Sequence, residues 1–154
     1  MNLSALINEL SPTVYRFLLA RTCDADTAQE LTQQVFLILF EKRPHFECKA
    51  QLRVWLIRCA HKTLANHLKR FDNSKTVPLE LASELATDDH SLFEFKELLR
   101  VLPPNLYDVT ILYYIEDMKL TDIAKALSLS VPNVKIRLSR ARDILKKIYE
   151  EEIL

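Results

Sequence analysis

The sequence predicts an all-α fold, with two small helical domains joined by a linker. Glycine is absent from the 154 residues, although average usage of roughly 7% would place about ten in a chain of this length. Tight β-hairpins need glycine or asparagine at positive φ, so a sheet protein is disfavoured and a glycine-rich phosphate loop is excluded. Hydrophobic residues make up 49% of the chain and recur at helical spacing, which favours helices that pack through one apolar face.

Three helices are predicted in an N-terminal domain placed at residues 1–72. The first covers residues 2–22 with a candidate break at Ser11-Pro12, the second runs from about 26 to 42, and the third from about 51 to 71. Apolar spacing assigns to their buried faces Leu3, Leu6, Ile7, Leu10, Val14, Phe17 and Leu18, then Ala28, Leu31, Val35 and Ile38, then Leu52, Leu56, Cys59, Thr63 and Leu64.

Residues 73–90 are predicted to be a linker, because proline, serine, asparagine and aspartate cluster there and helical periodicity is weak. The surrounding segment is acidic: residues 73–97 carry 2 basic and 6 acidic groups, a net charge of −4. Residues 1–72 carry a net charge of +3 and residues 98–154 a net charge of +1. The neutral total therefore hides basic surfaces on both domains.

The C-terminal domain is placed at residues 91–154, and its second half predicts a helix-turn-helix. Predicted helices cover residues 92–102, 105–116, 121–127 and 131 to about 151, with a stop at Pro103-Pro104. Residues 128–130 form a short turn, in which Ser130 can cap the following helix. That helix has a core stripe at steps of four and three, made of Val134, Leu138, Ala141, Leu145 and Ile148.

The outer faces of this last helix are basic. Residues 131–147 hold six lysines and arginines against one acid, Asp143, a net charge of +5. A cationic amphipathic helix after a short helix and a tight turn is typical of DNA-binding units, with Asn133 and Arg137 at base edges and flanking cations at phosphates. The alternative is the solvated basic face of a bundle helix, which the apolar spacing across the turn disfavours.

A second basic helix lies in the first half of the chain. Residues 53–70 hold five cations and no acid, and one helical face carries Trp55, Arg58, Lys62, Asn66 and Lys69. An aromatic ring among cations suits opened DNA, since charge follows the backbone and rings stack on bases. Taken alone the feature does not decide the function, because a single tryptophan is more often a core or edge residue.

Together these segments resemble the bacterial sigma factors, in particular their extracytoplasmic-function (ECF) group. The stretches that carry the resemblance are AQELTQQVF at 28–36, WLIRCAH at 55–61, LKR at 68–70, LPP at 102–104, YIEDM at 114–118, DIA at 122–124 and VKIRLSRAR at 134–142. They are similar to the family's DAEDLVQ-x-x-F, WLYRIAR with its basic end, LPP, Y-x-EGL, EIA and TVKSRLHRAR stretches. They also stand in the family's order.

The chain departs from the family pattern at several positions. Gln29 and Gln34 stand where the family has acids, Lys62 and Asn66 where it often has asparagine and aspartate, and Asp117 and Ser128 where it has glycine. Lys119 replaces a helix-capping serine, so Thr121 is expected to cap the next helix instead and to shorten it.

The resemblance implies a protein that binds core RNA polymerase and directs promoter recognition, DNA opening and transcription initiation. The polymerase surface would consist of Gln29, Glu30, Gln33, Phe36 and Phe40. The −10 element would be captured and opened by Phe46, Trp55, Arg58, Lys62, Asn66, Lys69 and Arg70, and the −35 element contacted by Asn133, Lys135, Arg137, Ser139, Arg140 and Arg142. Expected partners are core RNA polymerase and promoter DNA, for a protein that is monomeric when free. Members of this group are usually held by an anti-sigma factor, and the resemblance allows one here.

No enzyme, cofactor or metal site is predicted. None of the four histidines has a convincing nucleophile partner, and His45-x-x-Cys48 is a fragment of a metal pattern without further ligands. Three cysteines without paired spacing indicate a reducing compartment. Neither a signal peptide nor an apolar stretch of about 18 residues is recognised, so a cytoplasmic protein without a membrane span is expected.

Two other functions fit parts of the sequence. The helix-turn-helix alone suits a transcription regulator that acts without joining the polymerase, and a degenerate sigma-like decoy would occupy the polymerase without starting transcription. The basic helix at residues 53–70 and the outer stripe of Gln29, Gln33, Phe36 and Phe40 favour the sigma factor. A simple regulator would more often carry a dimerisation or ligand-binding domain in their place.

Overall fold

The computed structural model describes residues 2–70 and 101–153, except for the side chains of residues 149 and 151–153. The all-α prediction is confirmed, because these residues form helices and connecting turns and include no strand. The chain divides into two units, Met1–Leu85 and Ala86–Leu154. The predicted linker at 73–90 and nearly all of the predicted helix at 92–102 lie outside the described residues.

The first unit packs three helices against one another: α1 (Leu3–Thr22), α2 (Ala25–Lys42) and α3 (Lys49–Arg70). Each of the three contacts the other two. The largest side chains sealed between them are Val14, Phe17, Leu18, Val35, Leu52, Leu56, Ile57 and Leu64. Burial of such aliphatic and aromatic surface is the main term that stabilises a small helical unit.

Helix α1 runs without interruption through Pro12, so the predicted break at Ser11-Pro12 is wrong. Proline has no N–H, so it removes the hydrogen bond that the carbonyl group of Asn8 would otherwise accept. Asn8 and Pro12 are both exposed, and water can hydrate that carbonyl group. Leu10 and Val14, on the buried face, hold the helix against the core on either side of the proline.

The buried stripes of α2 and α3 differ from the predicted ones at a few positions. In α2, Leu39 is buried and Ile38 only half-buried, because position 39 lies four residues beyond Val35 on the same face. In α3 the buried face holds Leu52, Leu56, Ile57, Ala60 and Leu64, whereas the predicted members Cys59 and Thr63 are half-buried. Helix α3 packs against both α1 and α2, so its buried stripe is wider than one partner would require.

The second unit contains α4 (Pro104–Thr110), α5 (Leu120–Leu127) and α6 (Val131–Ile153). Helix α4 continues into a π-helical turn, Ile111–Ile115, so the single helix predicted for residues 105–116 has two geometries. The wider turn is closed by the N–H group of Glu116, which donates to the carbonyl oxygen of Ile111 at 3.1 Å.

Helix α6 packs against α4 and α5 through the first part of its predicted stripe. Val134, Leu138 and Ala141 are buried, whereas Leu145 and Ile148 are only half-buried. The apolar stripe is therefore buried in the N-terminal half of α6, which is the half that follows the turn.

Candidate nucleic-acid and partner interfaces

The turn between α5 and α6 is held by local hydrogen bonds. Ser128 ends α5 in the left-handed region with φ of 57°, and its N–H group donates to the carbonyl oxygen of Ala124. The N–H group of Asn133 donates to Oγ of Ser130 at 3.2 Å, so the predicted cap is confirmed. Helix α5 begins at Leu120 after Lys119, without a side-chain cap, so the predicted shortening by Thr121 is wrong.

The predicted −35 residues lie on the outer faces of α6, away from the buried stripe. Lys135, Ser139, Arg140 and Arg142 are exposed, and Asn133 and Arg137 are half-buried. Nε of Arg137 donates to Oδ1 of Asn133 at 2.9 Å. The two side chains that sequence analysis assigned to base edges are therefore joined to each other. Because the bond uses Nε, it does not involve the terminal N–H groups of the guanidinium.

Arg142 has a second role that sequence analysis missed. Its Nη1 atom donates to the hydroxyl oxygen of Tyr114 at 3.3 Å. The ring of Tyr114 meets that of Tyr113 edge-on, with centroids 4.9 Å apart and an interplanar angle of 89°. Arg142 thus links α6 to the π-helical turn. The sequence signal for this contact was the pair of adjacent tyrosines. Their spacing does not reveal that Arg142 is the residue they contact.

The cationic face of α3 is exposed along its length. Arg58, Lys62, Asn66, Lys69 and Arg70 are exposed, and Trp55 is half-buried at the start of the same face. His61, which lies nearby in sequence, has its ring 6.5 Å from that of Phe17, a core residue. His61 therefore belongs to the packing between α1 and α3 and not to the cationic face.

The predicted polymerase residues lie on α2. Gln29, Glu30 and Gln33 are exposed, Phe40 is 53% exposed, and Phe36 is half-buried. Leu37 is 60% exposed and extends the same surface, although the sequence prediction omitted it. The signal was the run of six apolar residues at 35–40, because one buried helical face cannot accommodate six in succession.

The structure brings a predicted polymerase residue next to a predicted −10 residue. Phe40 and Phe46 line one cavity of about 300 Å³, together with Leu3, Leu39, Arg43 and Pro44. Arg43 turns the chain out of α2 in the left-handed region, with φ of 43°. The following loop is tied to α3, because the N–H group of Glu47 donates to Oε1 of Gln51 at 2.7 Å.

The family models that match the chain follow the two units. The model for Sigma-70 region 2 matches residues 6–73, and the model for Sigma-70 region 4 matches residues 92–145. This chain belongs to the sigma-70 family. Its α1–α3 unit is region 2 and its α4–α6 unit is region 4 of a sigma factor of the ECF group.

Curated relatives are similar to this chain over most of its length. The chain is 26% identical to the ECF RNA polymerase sigma factor SigM of Bacillus subtilis, over 91% of this chain and 90% of the relative. It is 26% identical to the ECF RNA polymerase sigma factor SigC of Mycobacterium tuberculosis, over 93% of this chain and 80% of that protein.

Solved structures of similar fold include two that hold a second protein. The sigma factor RpoE of Bartonella quintana, solved with the anti-sigma factor NepR, has a TM-score of 0.68 and 20% identity, over 94% of each chain. CnrH, solved with the cytosolic domain of CnrY, has a TM-score of 0.67 and 23% identity, over 96% of this chain and 87% of that one. At these identities the comparison concerns the fold.

Sigma factors direct RNA polymerase to promoters, and this chain contains the two regions of the family that serve that function. The region 2 match also accounts for the first half of the chain, which a separate helix-turn-helix regulator would not require. Among residues 2–70 and 101–153, no helix combines the length and apolar character needed to cross a membrane. The same residues contain no cluster of three or more histidine, cysteine or acidic side chains placed to hold a metal ion.

Proposed function

We propose that this sigma factor divides promoter binding and polymerase binding among three helical surfaces. The observation that carries the proposal is the placement of two cationic helical faces on separate units, one within each matched sigma region. The proposed domain limits are residues 1–72 for polymerase and −10 binding, 73–90 for an acidic linker, and 91–154 for −35 binding.

The polymerase-binding surface is the outer side of α2. Gln29, Glu30, Gln33, Phe36 and Phe40 form it, and the exposed side chain of Leu37 enlarges it. Exposed leucine and phenylalanine side chains beside polar groups are typical of protein interfaces, where the apolar residues supply most of the affinity and the polar ones the specificity.

The −10 surface begins at Phe46 in the loop after α2 and continues along α3. Trp55, Arg58, Lys62, Asn66, Lys69 and Arg70 follow one another along the helix. Cations spaced along a helix match the repeating phosphates of a single strand, and Trp55 and Phe46 offer rings on which bases can stack. The loop therefore serves to capture the opened strand and α3 to hold it.

The −35 surface is the N-terminal half of α6. Its sealed core stripe faces the unit, which leaves Asn133 and Arg137 for base edges and Lys135, Ser139, Arg140 and Arg142 for the flanking backbone. A recognition helix uses its first turns in this way when it lies in the major groove. The Asn133–Arg137 hydrogen bond pre-orders both side chains before DNA is bound.

The test is reconstitution with the core RNA polymerase of the source organism. We expect stoichiometric co-purification with core polymerase and promoter-dependent transcripts from genomic DNA. Arg137→Ala combined with Arg140→Ala should weaken duplex promoter binding by about 1–3 kcal/mol through the base contact of Arg137, and further through the phosphate contact of Arg140. A protein that binds promoter DNA but not core polymerase would be a simple regulator. One that binds core polymerase but yields no transcript would be a decoy.

We also propose that the protein acts in the cytoplasm, where the polymerase is, and that an anti-sigma factor restrains it. The support is the fold shared with a sigma factor solved in an anti-sigma complex. We expect the anti-sigma factor to cover the polymerase-binding surface of α2 and so to compete with core polymerase. Pull-down with a chain in which Leu37 and Phe40 are changed to serine would test this, since both partners should bind the variant less well.

A further inference from the structure

An isoleucine lies at the centre of the outward face of α6. Ile136 is 49% exposed, whereas Val134 and Leu138, two residues away on either side, are 0% and 2% exposed. Successive residues of an α-helix are rotated by about 100°, so a step of two places Ile136 nearly opposite both buried neighbours. Its side chain therefore projects away from the unit.

The surroundings of Ile136 on that face are polar. Ser139, Arg140 and Asp143 lie one turn or two further along the face, and all three are exposed. Among residues 131–148, Ile136 is the one large apolar side chain that is exposed. Isoleucine is also a poorer helix former than the lysine or arginine on either side of it, because branching at Cβ restricts χ1.

An isolated exposed apolar residue is ordinary on a protein surface and by itself indicates nothing. Position is what distinguishes this one. Ile136 lies within the first two turns of α6, directly between Lys135 and Arg137 of the proposed −35 surface. When that surface lies in the major groove, Ile136 is the side chain at the middle of the contact. Its apolar surface is then buried away from solvent.

The major groove offers one prominent apolar group for such a side chain. Thymine carries a C5-methyl group at its edge, whereas cytosine, adenine and guanine present hydrogen-bond donors and acceptors there. Arginine and asparagine distinguish guanine and adenine by hydrogen bonds, which isoleucine cannot make. An isoleucine between them would instead penalise any base whose polar edge it covered.

We propose that Ile136 contacts the C5-methyl group of a thymine in the −35 element and so specifies an A·T pair at one position. The inference rests on the proposed function of α6. It adds a specificity-determining residue that the set of Asn133, Lys135, Arg137, Ser139, Arg140 and Arg142 does not include. Ile136 also differs from the lysine and arginines of that set in that its contact depends little on salt, because no charge is involved.

Replacement of thymine by deoxyuridine tests the contact, because it removes the methyl group and preserves base pairing. Core RNA polymerase loaded with the full chain would first select −35 sequences from a duplex library randomised over about ten positions, roughly one helical turn of DNA. Each thymine of the selected site would then be replaced singly by deoxyuridine. With the wild-type chain, one of these replacements should weaken binding about fourfold, which is the effect of losing one buried methyl group. The other replacements should change the affinity little.

Three variants assign the methyl effect to Ile136. Ile136→Ser should lower affinity for the thymine duplex about fourfold and make thymine and deoxyuridine duplexes equivalent at that position. Ile136→Val, which keeps an apolar branched side chain, should retain most of the preference. Val101→Ser is the matched control, since Val101 is 52% exposed in the same unit but lies outside α6, and it should keep the full preference.

The outcomes separate this inference from the proposed function. If the loaded polymerase selects no sequence at all, the −35 role of α6 fails and the inference fails with it. If it selects a sequence but no thymine position responds to deoxyuridine, or if Ile136→Ser keeps the full response, only the inference is overturned. Circular dichroism of each variant should match the wild type, since the substituted side chains are exposed.

Discussion

Among residues 2–70 and 101–153, four occupy the left-handed region, in a chain that has no glycine. Cys23, Arg43 and Ser128 end helices there, and Asp117 lies between the π-helical turn and α5, with φ from 43° to 57°. This conformation costs a non-glycine residue about 1–2 kcal/mol. The chain therefore keeps turns with positive φ although it has no glycine, and it accepts their strain.

Ser128→Gly should therefore stabilise the second unit. Glycine relieves the left-handed strain but loses more backbone entropy on folding, so we expect a net gain of about 0.5–1 kcal/mol. Asp117→Gly should stabilise the unit by less, because aspartate tolerates the left-handed region better than serine does. Hydrogen exchange of the α5 and α6 amides would measure the change. Lys125→Gly, inside α5, is the matched control and should cost about 1 kcal/mol.

The three cysteines should differ in reactivity towards alkylating agents. Cys48 is exposed, Cys59 is half-buried and Cys23 is buried. Burial raises the pKa of the Cys59 thiol, and the hydrogen bond with Thr63 and the charges of Lys42 and Lys62 oppose that shift only partly. Since thiolate is the reactive form, Cys59 should need a higher pH than a free cysteine, whose pKa is about 8.5, to reach half its maximal rate.

Peptide mass spectrometry after iodoacetamide treatment over a pH range of about 7 to 10, which brackets the titration of a free thiol, would give the rate at each cysteine. The same shift has a stability consequence. A thiol whose pKa is raised by folding contributes stability that is present below the unfolded pKa and is lost as pH rises towards the folded pKa. Loss of stability at alkaline pH should therefore be smaller in Cys59→Ala than in the wild type. An equal loss would contradict the assignment.

At the scale of helices, sequence periodicity located the described helices to within a few residues, because each buries one apolar face. Periodicity failed where tertiary packing decides. The wide buried face of α3 arises from two neighbours, which spacing along one helix cannot reveal. The π-helical turn at Ile111–Ile115 was not predicted either, because helical spacing of apolar residues does not distinguish so short a π-turn from an α-helix.

The surfaces were predictable to a different degree. Cationic faces on α3 and α6 were visible as charge on helical spacing, and every cation assigned to them is exposed or half-buried. The apolar contributors Leu37 and Ile136 were missed. An apolar residue in a sequence is assigned to the core by default, and only the orientation of the helix shows that these two face outward.

Positive charge introduced on α2 should weaken polymerase binding without unfolding the first unit. Glu30→Lys combined with Gln33→Lys changes two exposed side chains, so we expect core affinity to fall about tenfold, about 1.4 kcal/mol, with helicity unchanged. Ser4→Lys combined with Asn8→Lys, at two exposed positions of α1 outside this surface, is the control and should bind nearly as the wild type does. Fluorescence anisotropy of labelled protein against core polymerase, with circular dichroism, would measure both quantities. Unchanged affinity accompanied by reduced helicity would mean that the pair is structural.

At the scale of the whole molecule, the two units place separate cationic surfaces on one chain with zero formal net charge. Neutrality limits non-specific attraction to DNA, because the acidic residues elsewhere repel phosphates that do not meet the two faces. If the two faces bind DNA as proposed, specific binding should use both at once. Because both faces lie on one chain, the second contact forms intramolecularly once the first has formed. A promoter with both sites should therefore be bound more tightly than either contact alone would allow.

The salt dependence of promoter binding should therefore resolve the two faces. Removing one phosphate interaction lowers the slope of log K against log salt by about 0.9 on duplex DNA and about 0.7 on a single strand. Arg140→Ala with Arg142→Ala should thus lower the slope by about 1.8 on DNA with a duplex −35 site, and by nothing on DNA that carries the −10 site alone. Lys62→Ala with Lys69→Ala should lower the slope by about 1.4 on both DNAs once the strand is open.

Lys119→Ala with Lys125→Ala, outside both faces, is the control. Filter binding of the loaded polymerase at several salt concentrations would measure the slopes, and an α6 effect that persisted without the −35 site would mean that α6 binds elsewhere on the promoter.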